Sequence, residues 1–242
     1  MHSYAIISDV HANLEALYAV LINLEHESYH SLLFLGDSVG YGPDPNECIE
    51  LLKEKAAIML AGNHDWAAAG ITDTSAFNLY AKAALEWTRD VLRDKNKALL
   101  EKLPLTSTLK KDGITIVHSS PGQPEKWHYV ADAHDAEKYF RYFKEDLCFL
   151  GHSHVPFIAE RTHPGTVKFH DSSAEIKKGS RYIINVGSVG QPRDGNPQAA
   201  YTLLRDNSLE IKRVSYDIVL TQKKMRKAGL PEYLINRLSA GR

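Results

Sequence analysis

Five apolar runs, at residues 4–7, 32–35, 58–61, 114–117 and 147–150, each lead into residues able to bind a metal ion. Asp9 and His11 follow the first, Asp37 the second, Asn63 and His64 the third. His118 follows the fourth, and His152 and His154 the fifth. Residues two apart at a strand end project to one side, so Asp9 can join His11, and His152 can join His154, at one centre. Carboxylate, imidazole and amide donors without a thiolate suit manganese, iron or zinc and not a structural cysteine-zinc site. Asp37 has two oxygens and a central place in this series, so it can bridge two ions. Asn63 adds a neutral carbonyl oxygen. These seven donors are too many for one tetrahedral ion and suit two ions that share a water.

Charge points to the chemistry. Two divalent ions, set against two carboxylates and one shared hydroxide, leave the centre near one positive charge, which suits a phosphate ester. Two such ions roughly 3.5–4 Å apart can orient a substrate, generate hydroxide near neutral pH and stabilise an in-line displacement. His64 directly follows Asn63, so its ring is expected beside the ions without binding them. There it can protonate the leaving alkoxide or stabilise the transition state. Asp65 is expected to hold the other ring nitrogen of His64 and fix its tautomer.

The elements that must position these groups follow from periodicity. Leu14, Leu17, Val20, Leu21 and Leu24 make residues 12–26 an amphipathic helix. Pro45 suits the first turn of a helix over about 46–56, with Asp44 as N-cap. Residues 1–61 thus read βαβαβ, an α/β pattern with a parallel sheet. Residues 66–102 form a helical insertion between two donor-bearing strands, ended by Pro104, with Trp87 a core residue or a substrate contact. From 105 onward strands dominate, at about 106–110, 155–161, 167–170, 182–186, 200–204 and 209–214. They suggest a second, mixed and mostly antiparallel sheet, with Lys111-Asp112-Gly113 and Asp206-Asn207 as hairpin turns. Residues 218–242 return to a helical pattern interrupted at Gly229-Leu230-Pro231. Without repeats or a linker, residues 1–242 read as one domain.

Composition sets limits. The net charge of −1 and ordinary charged content of 24% argue against bulk-charge binding of nucleic acid. Cys48 and Cys148, far apart in apolar contexts, read as buried free thiols. Residues 1–8 carry no leader pattern and no apolar run approaches about 18 residues, so no membrane span and a cytoplasmic location are expected. His2, His26, His30, His134, His163 and His170 read as solvated. His128 is either another of these or a cleft residue.

Asp9-x-His11, Gly36-Asp37, Gly62-Asn63-His64-Asp65, His118 and Gly151-His152-x-His154 together resemble, in order, the motifs of the calcineurin-like metallophosphoesterases. The resemblance implies a metallophosphatase fold, a four-layer α/β/β/α sandwich of two mixed sheets flanked by helices. It implies two divalent ions, manganese first, with iron, zinc, cobalt or nickel also compatible. Asp9, His11 and His154 would hold one ion and Asn63, His118 and His152 the other. Asp37 would bridge and His64 would be the catalytic histidine.

A narrower resemblance spans the chain through residues 36–43, Trp87-Thr88, residues 185–195 and Gly229-Leu230-Pro231. These look like a bacterial and archaeal subgroup of phosphodiesterases related to the diadenosine tetraphosphate hydrolases. Serine/threonine phosphatases of the superfamily, and the symmetric diadenosine tetraphosphate hydrolases, carry an arginine just after the Gly-Asp motif. Here Val39-Gly40-Tyr41-Gly42 stands instead. Arg193, in a loop made pliable by Gly187, Gly190 and Gly195, is the candidate replacement for gripping phosphate, unless it pairs with a surface carboxylate. Tyr41 is a cleft or core residue.

The leading expectation is hydrolysis of phosphodiester or nucleotide-type substrates, with no membrane and no stable nucleic-acid partner. The alternatives are a phosphomonoesterase or protein phosphatase, a nuclease, and a non-catalytic binding module like the retromer subunit that resembles these enzymes.

Overall fold

Alternation along the strands decides the layering. In β1 (Tyr4–Ile7), Tyr4 and Ile6 enter one apolar core while Ala5 and Ile7 enter another. In β2 (Ser31–Phe34), Leu33 joins the first core, and Leu32 and Phe34 join the second. In β6 (Leu147–Leu150), Leu147 and Phe149 reach the shared core while Cys148 and Leu150 face a third. A strand buried on both faces needs a layer on each side. The shared core therefore lies between two sheets, with helices over each outer face. Each large aliphatic or aromatic side chain so enclosed contributes about 1.5–3 kcal/mol.

This computed structural model describes residues 2–162 and 165–242. His163 lies outside the described residues. The first sheet runs β3 (Ala56–Met59), β2, β1, β11 (Ala199–Arg205), β12 (Ser208–Val214), β9 (Ser173–Glu175). The second runs β4 (Thr106–Leu109), β5 (Ile114–Val117), β6, β10 (Arg181–Asn185), β7 (Phe157–Arg161), β8 (Val167–His170). Both are mixed. β1–β2–β3 and β5–β6–β10 are parallel, and the other pairings are antiparallel. The α/β/β/α sandwich is thus the fold.

One expectation is corrected. The β11–β12 hairpin joins the first sheet, with β11 antiparallel to β1, and does not extend the second. Strand alternation sets which face is buried but not which distant strand is the neighbour.

Helices α1 (Leu14–Leu24) and α2 (Pro45–Lys55) cover the first sheet, and α6 (Ala133–Tyr139) the second. The insertion folds as α3 (Asn63–Ala69), α4 (Leu79–Val91) and α5 (Asp94–Leu100). α7 (Ile218–Lys227) and α8 (Glu232–Ala240) flank the break at Gly229. Their Met225, Leu234, Ile235 and Leu238 enclose Tyr41 with Ala81 and Ala84 of α4, and Trp87 packs against that cluster. Asp44 stands at the α2 N-cap position without making a capping bond. Its carboxylate pairs instead with Lys224 of α7, which also reaches Glu15 of α1 at 2.8 Å. Both cysteines are buried and free. Among the described residues no helix is long and apolar enough to cross a membrane.

Candidate metal centre

The donor-bearing loops meet at one end of the two sheets, in backbone that is costly to hold. Asp9, His11, Asp37, Tyr41, Trp127, His152 and His154 all have φ between 50° and 65°. Non-glycine residues in that region cost on the order of 1–3 kcal/mol each and persist only where the surroundings fix them. Main-chain bonds do so here. Asp9 N donates to Gly36 O at 2.9 Å, and His11 N donates to Asp37 O at 3.0 Å. Two glycines are required by contact. A Cβ at Gly62 would sit on Asp37 Oδ1, and one at Gly40, where φ is 87°, would sit on His64 Nδ1.

The imidazoles are held by main-chain carbonyls. A carbonyl only accepts, so the ring nitrogen bonded to it carries the proton. His11 Nδ1 donates to Val39 O and His118 Nδ1 to Leu35 O, each at 3.0 Å, and His154 Nδ1 donates to Gln191 O. Nε2 therefore faces the centre in all three. His152 is reversed: its Nε2 donates to Trp127 O at 2.9 Å, which leaves Nδ1 for the centre.

The freed atoms converge without partners. His11 Nε2 and His154 Nε2 face each other at 3.0 Å, with Asp9 Oδ1 at 3.2 Å from His154 Nε2 and 3.7 Å from His11 Nε2. Asp37 Oδ2 lies 3.6 Å from His11 Nε2 and 3.4 Å from His118 Nε2, so it stands between two groups of donors. Asp9 Oδ1, Asn63 Oδ1 and His118 Nε2 are buried and make no hydrogen bond among the described residues. Among the described residues three sets of donors fit a cation: Asp9, His11 and His154; Asp37, His118 and His152; and His11, Asp37 and His64. Where Asp9 Oδ1, His11 Nε2 and His154 Nε2 face one another, lone pairs meet in a buried space, which is unfavourable until a cation fills it. The first two sets are adjacent and fit a binuclear divalent-metal site.

Electrostatics prepares these donors. Burial holds His154 down at about 3, with Arg193 adding to the effect, and holds His152 down at about 4, so both rings are neutral. Burial also lowers His118, but the Asp37 carboxylate overrides it and raises that ring to about 9. Burial would raise Asp9 and Asp37, yet the surrounding imidazoles keep both below the usual carboxylate range.

His64 lies between the rings of Tyr41, 4.5 Å away, and Phe77, 5.0 Å away. Burial puts its pKa well below the ordinary value, and its Nδ1 has no hydrogen-bond partner. Its main-chain N donates to Asp37 Oδ1 at 2.9 Å.

Asp65 corrects the sequence reading, because its carboxylate does not reach the His64 ring. Oδ1 accepts from Ser38 N at 2.9 Å, Ser38 Oγ at 2.6 Å and Val39 N at 3.3 Å. Oδ2 accepts from Asp37 N at 2.8 Å and Gly62 N at 3.0 Å. As the third residue of α3, Asp65 turns back to its own helix start and from there grips the 36–39 loop. It is a positioning residue. Burial and the nearby Asp37 charge push it up to about 6, against the pull of these bonds.

Arg193 reaches the rim of the site. Its guanidinium lies 5.7 Å from the Tyr41 ring centre and donates to Gln191 Oε1 at 2.9 Å. Among the described residues it has no carboxylate within 4.0 Å; the neighbouring Asp194 pairs with Arg213. Tyr41 is buried against both His11 and His64. His128 is exposed, and its neighbours Trp127 and Tyr129 reach the site instead. His170 is no solvated ring but contacts the buried Glu160 at 2.9 Å.

Residue types gave no warning of the supports. The carbonyls of Leu35, Val39, Trp127 and Gln191 orient the imidazoles. Asn185 Nδ2 fixes the 151–154 turn through Gly151 O at 2.7 Å and Ser153 Oγ at 2.8 Å. Only position relative to the donor motifs could have suggested them.

Fold and clustered donors together support a metal-dependent hydrolase. Residues 3–207 match the calcineurin-like phosphoesterase superfamily domain, and the chain belongs to that family. It is 39% identical to an uncharacterized protein of Methanocaldococcus jannaschii, over 98% of either chain. A metallophosphoesterase from Sphaerobacter thermophilus is 40% identical and superposes with a TM-score of 0.87, covering 100% of this chain and 99% of that one. A hypothetical protein from Pyrococcus horikoshii, 23% identical with the same coverage, shares the fold with a TM-score of 0.81.

Proposed function

We propose that the protein hydrolyses phosphate esters, of phosphodiester or nucleotide type, with two divalent metal ions. The observation that carries this is the pair of adjacent donor sets, Asp9 with His11 and His154, and Asp37 with His118 and His152, together with the buried Asn63 Oδ1, which is unpaired among the described residues. In this reading Asp9, His11 and His154 would hold one ion, Asn63, His118 and His152 the other, and Asp37 would serve both. Manganese is the first choice, with iron, zinc, cobalt or nickel compatible with the same donors. The ions, when bound, supply Lewis-acid activation of water and stabilise charge on phosphate.

The chain's own groups do the rest. Burial leaves the His64 ring neutral in the free site, so it meets substrate first as an N–H donor. Negative charge on the arriving phosphate favours uptake of a proton from solvent to form the imidazolium, which can then give that proton to the leaving oxygen. Arg193 has no carboxylate partner among the described residues, and it would exchange its bond to Gln191 for one to phosphate. Tyr41 orients it and closes the site behind His64. The segment that bears an arginine in the serine/threonine phosphatases is occupied here by Gly40 and Tyr41, packed on His64. This disfavours a protein-phosphatase role.

A manganese-supplemented panel tests the assignment, using phosphomonoesters, phosphodiesters, dinucleoside polyphosphates, cyclic nucleotides and a phosphopeptide. Turnover of diesters or nucleotides is expected. Turnover of none of them would overturn it.

A further inference from the structure

A cleft of about 260 Å³ opens beside Asn63 and His152. Its walls are aromatic and come from three separate segments: Tyr41 after β2, Phe77 before α4, and Trp127 with Tyr129 in the 120–130 loop. Core packing does not explain all of these rings. Tyr129 is 54% exposed, yet it stacks on His152 at 4.2 Å with only 17° between the planes. Trp127 is braced edge-on by Trp66 at 5.6 Å, and its carbonyl orients His152. Phe77 stands edge-on to His64 at 5.0 Å.

Two hydrogen-bond donors share the cleft. Asn78 Oδ1 is engaged in capping α4, at 3.1 Å from Tyr80 N and 3.0 Å from Ala81 N. Its amide nitrogen has no partner among the described residues. Lys126 lines the cleft beside Trp127.

A phosphate held at the metal donors would lie beside this cleft, because Asn63 and His152 line it, so its organic group has these rings within reach. An alkyl group would bury apolar area on these rings but has no acceptors to offer Asn78 and Lys126. A nucleobase stacks on them and offers carbonyl and ring-nitrogen acceptors to Asn78 and Lys126. Building on the phosphoesterase reading, we infer that this cleft holds the nucleobase of the substrate, with Phe77, Trp127 and Tyr129 as its specificity-determining residues.

Calorimetry on the manganese-loaded protein tests the inference by comparing adenosine 5′-monophosphate with ribose 5-phosphate, which lacks the base. The nucleotide is expected to bind about tenfold tighter or more, and the preference is expected to shrink to within about threefold in Phe77→Ala and Trp127→Leu. Taking the ratio removes any general loss that a variant suffers. Equal binding by the wild type, or a preference intact in both variants, overturns the inference. Turnover of bis(p-nitrophenyl) phosphate by the same preparation tests the parent reading separately. Turnover without base preference refutes the nucleobase alone. Base preference without turnover of any ester refutes the hydrolase and leaves the cleft.

Discussion

Asp65→Asn separates two roles that the sequence left merged. A catalytic partner of His64 would affect turnover and leave the site standing. The structure gives Asp65 a different task, since its carboxylate accepts four main-chain N–H bonds and one hydroxyl bond, all in fully buried surroundings. In the asparagine variant one oxygen can keep the three bonds from Ser38 and Val39. The amide nitrogen then faces the N–H groups of Asp37 and Gly62, so donor meets donor. Two charge-assisted bonds are lost, at about 1.5–3 kcal/mol each, or about 3–6 kcal/mol together. For a chain of this size that lowers Tm by roughly 6–24 °C. The released loop carries Asp37 and the Val39 carbonyl that orients His11, so metal binding falls with stability. Differential scanning calorimetry and metal analysis on one preparation read both effects. A variant with wild-type Tm and full metal content but slow turnover would refute the positioning role and restore the relay to His64.

His64→Ala should retain its metal and lose about 10²–10⁴-fold in kcat, while Asp37→Ala should lose metal and activity together; equal activity of His64→Ala and wild type would remove that residue from the mechanism. Gly40→Ala adds a Cβ against His64 Nδ1 at a left-handed position, so kcat should fall with metal content unchanged, and unchanged kcat would mean that the ring can shift freely. With His118 raised to about 9 in the metal-free protein, a cation must displace a proton from it below that pH. Metal affinity should therefore rise about tenfold per pH unit up to about 9 and then level off. Calorimetry at pH 7 in two buffers of different ionisation enthalpy should count about one proton released, and no release would contradict the Asp37–His118 coupling.

Much of this was legible because strand ends and donors are local features. The runs before Asp9, Asp37, His118 and His152 are strands or lead directly from them, and Asn63 opens α3. The insertion and the break at Gly229 were also readable, from helical periodicity and from glycine and proline. Three things were not. The place of β11 beside β1 depends on pairing across about two hundred residues, which alternation does not encode. The direction of Asp65 is set by the N–H groups its carboxylate caps, and three of these four come from another loop. Trp127 and Tyr129 reach the site, while His128 between them does not, because neighbouring residues of an irregular loop point different ways.

Anomalous scattering from crystals of manganese-loaded protein gives the most direct test of the two-metal centre. Two peaks roughly 3.5–4 Å apart are expected, one against Asp9, His11 and His154 and one against Asn63, His118 and His152, with Asp37 between them. A single peak, or an ion coordinated by His64, would contradict it.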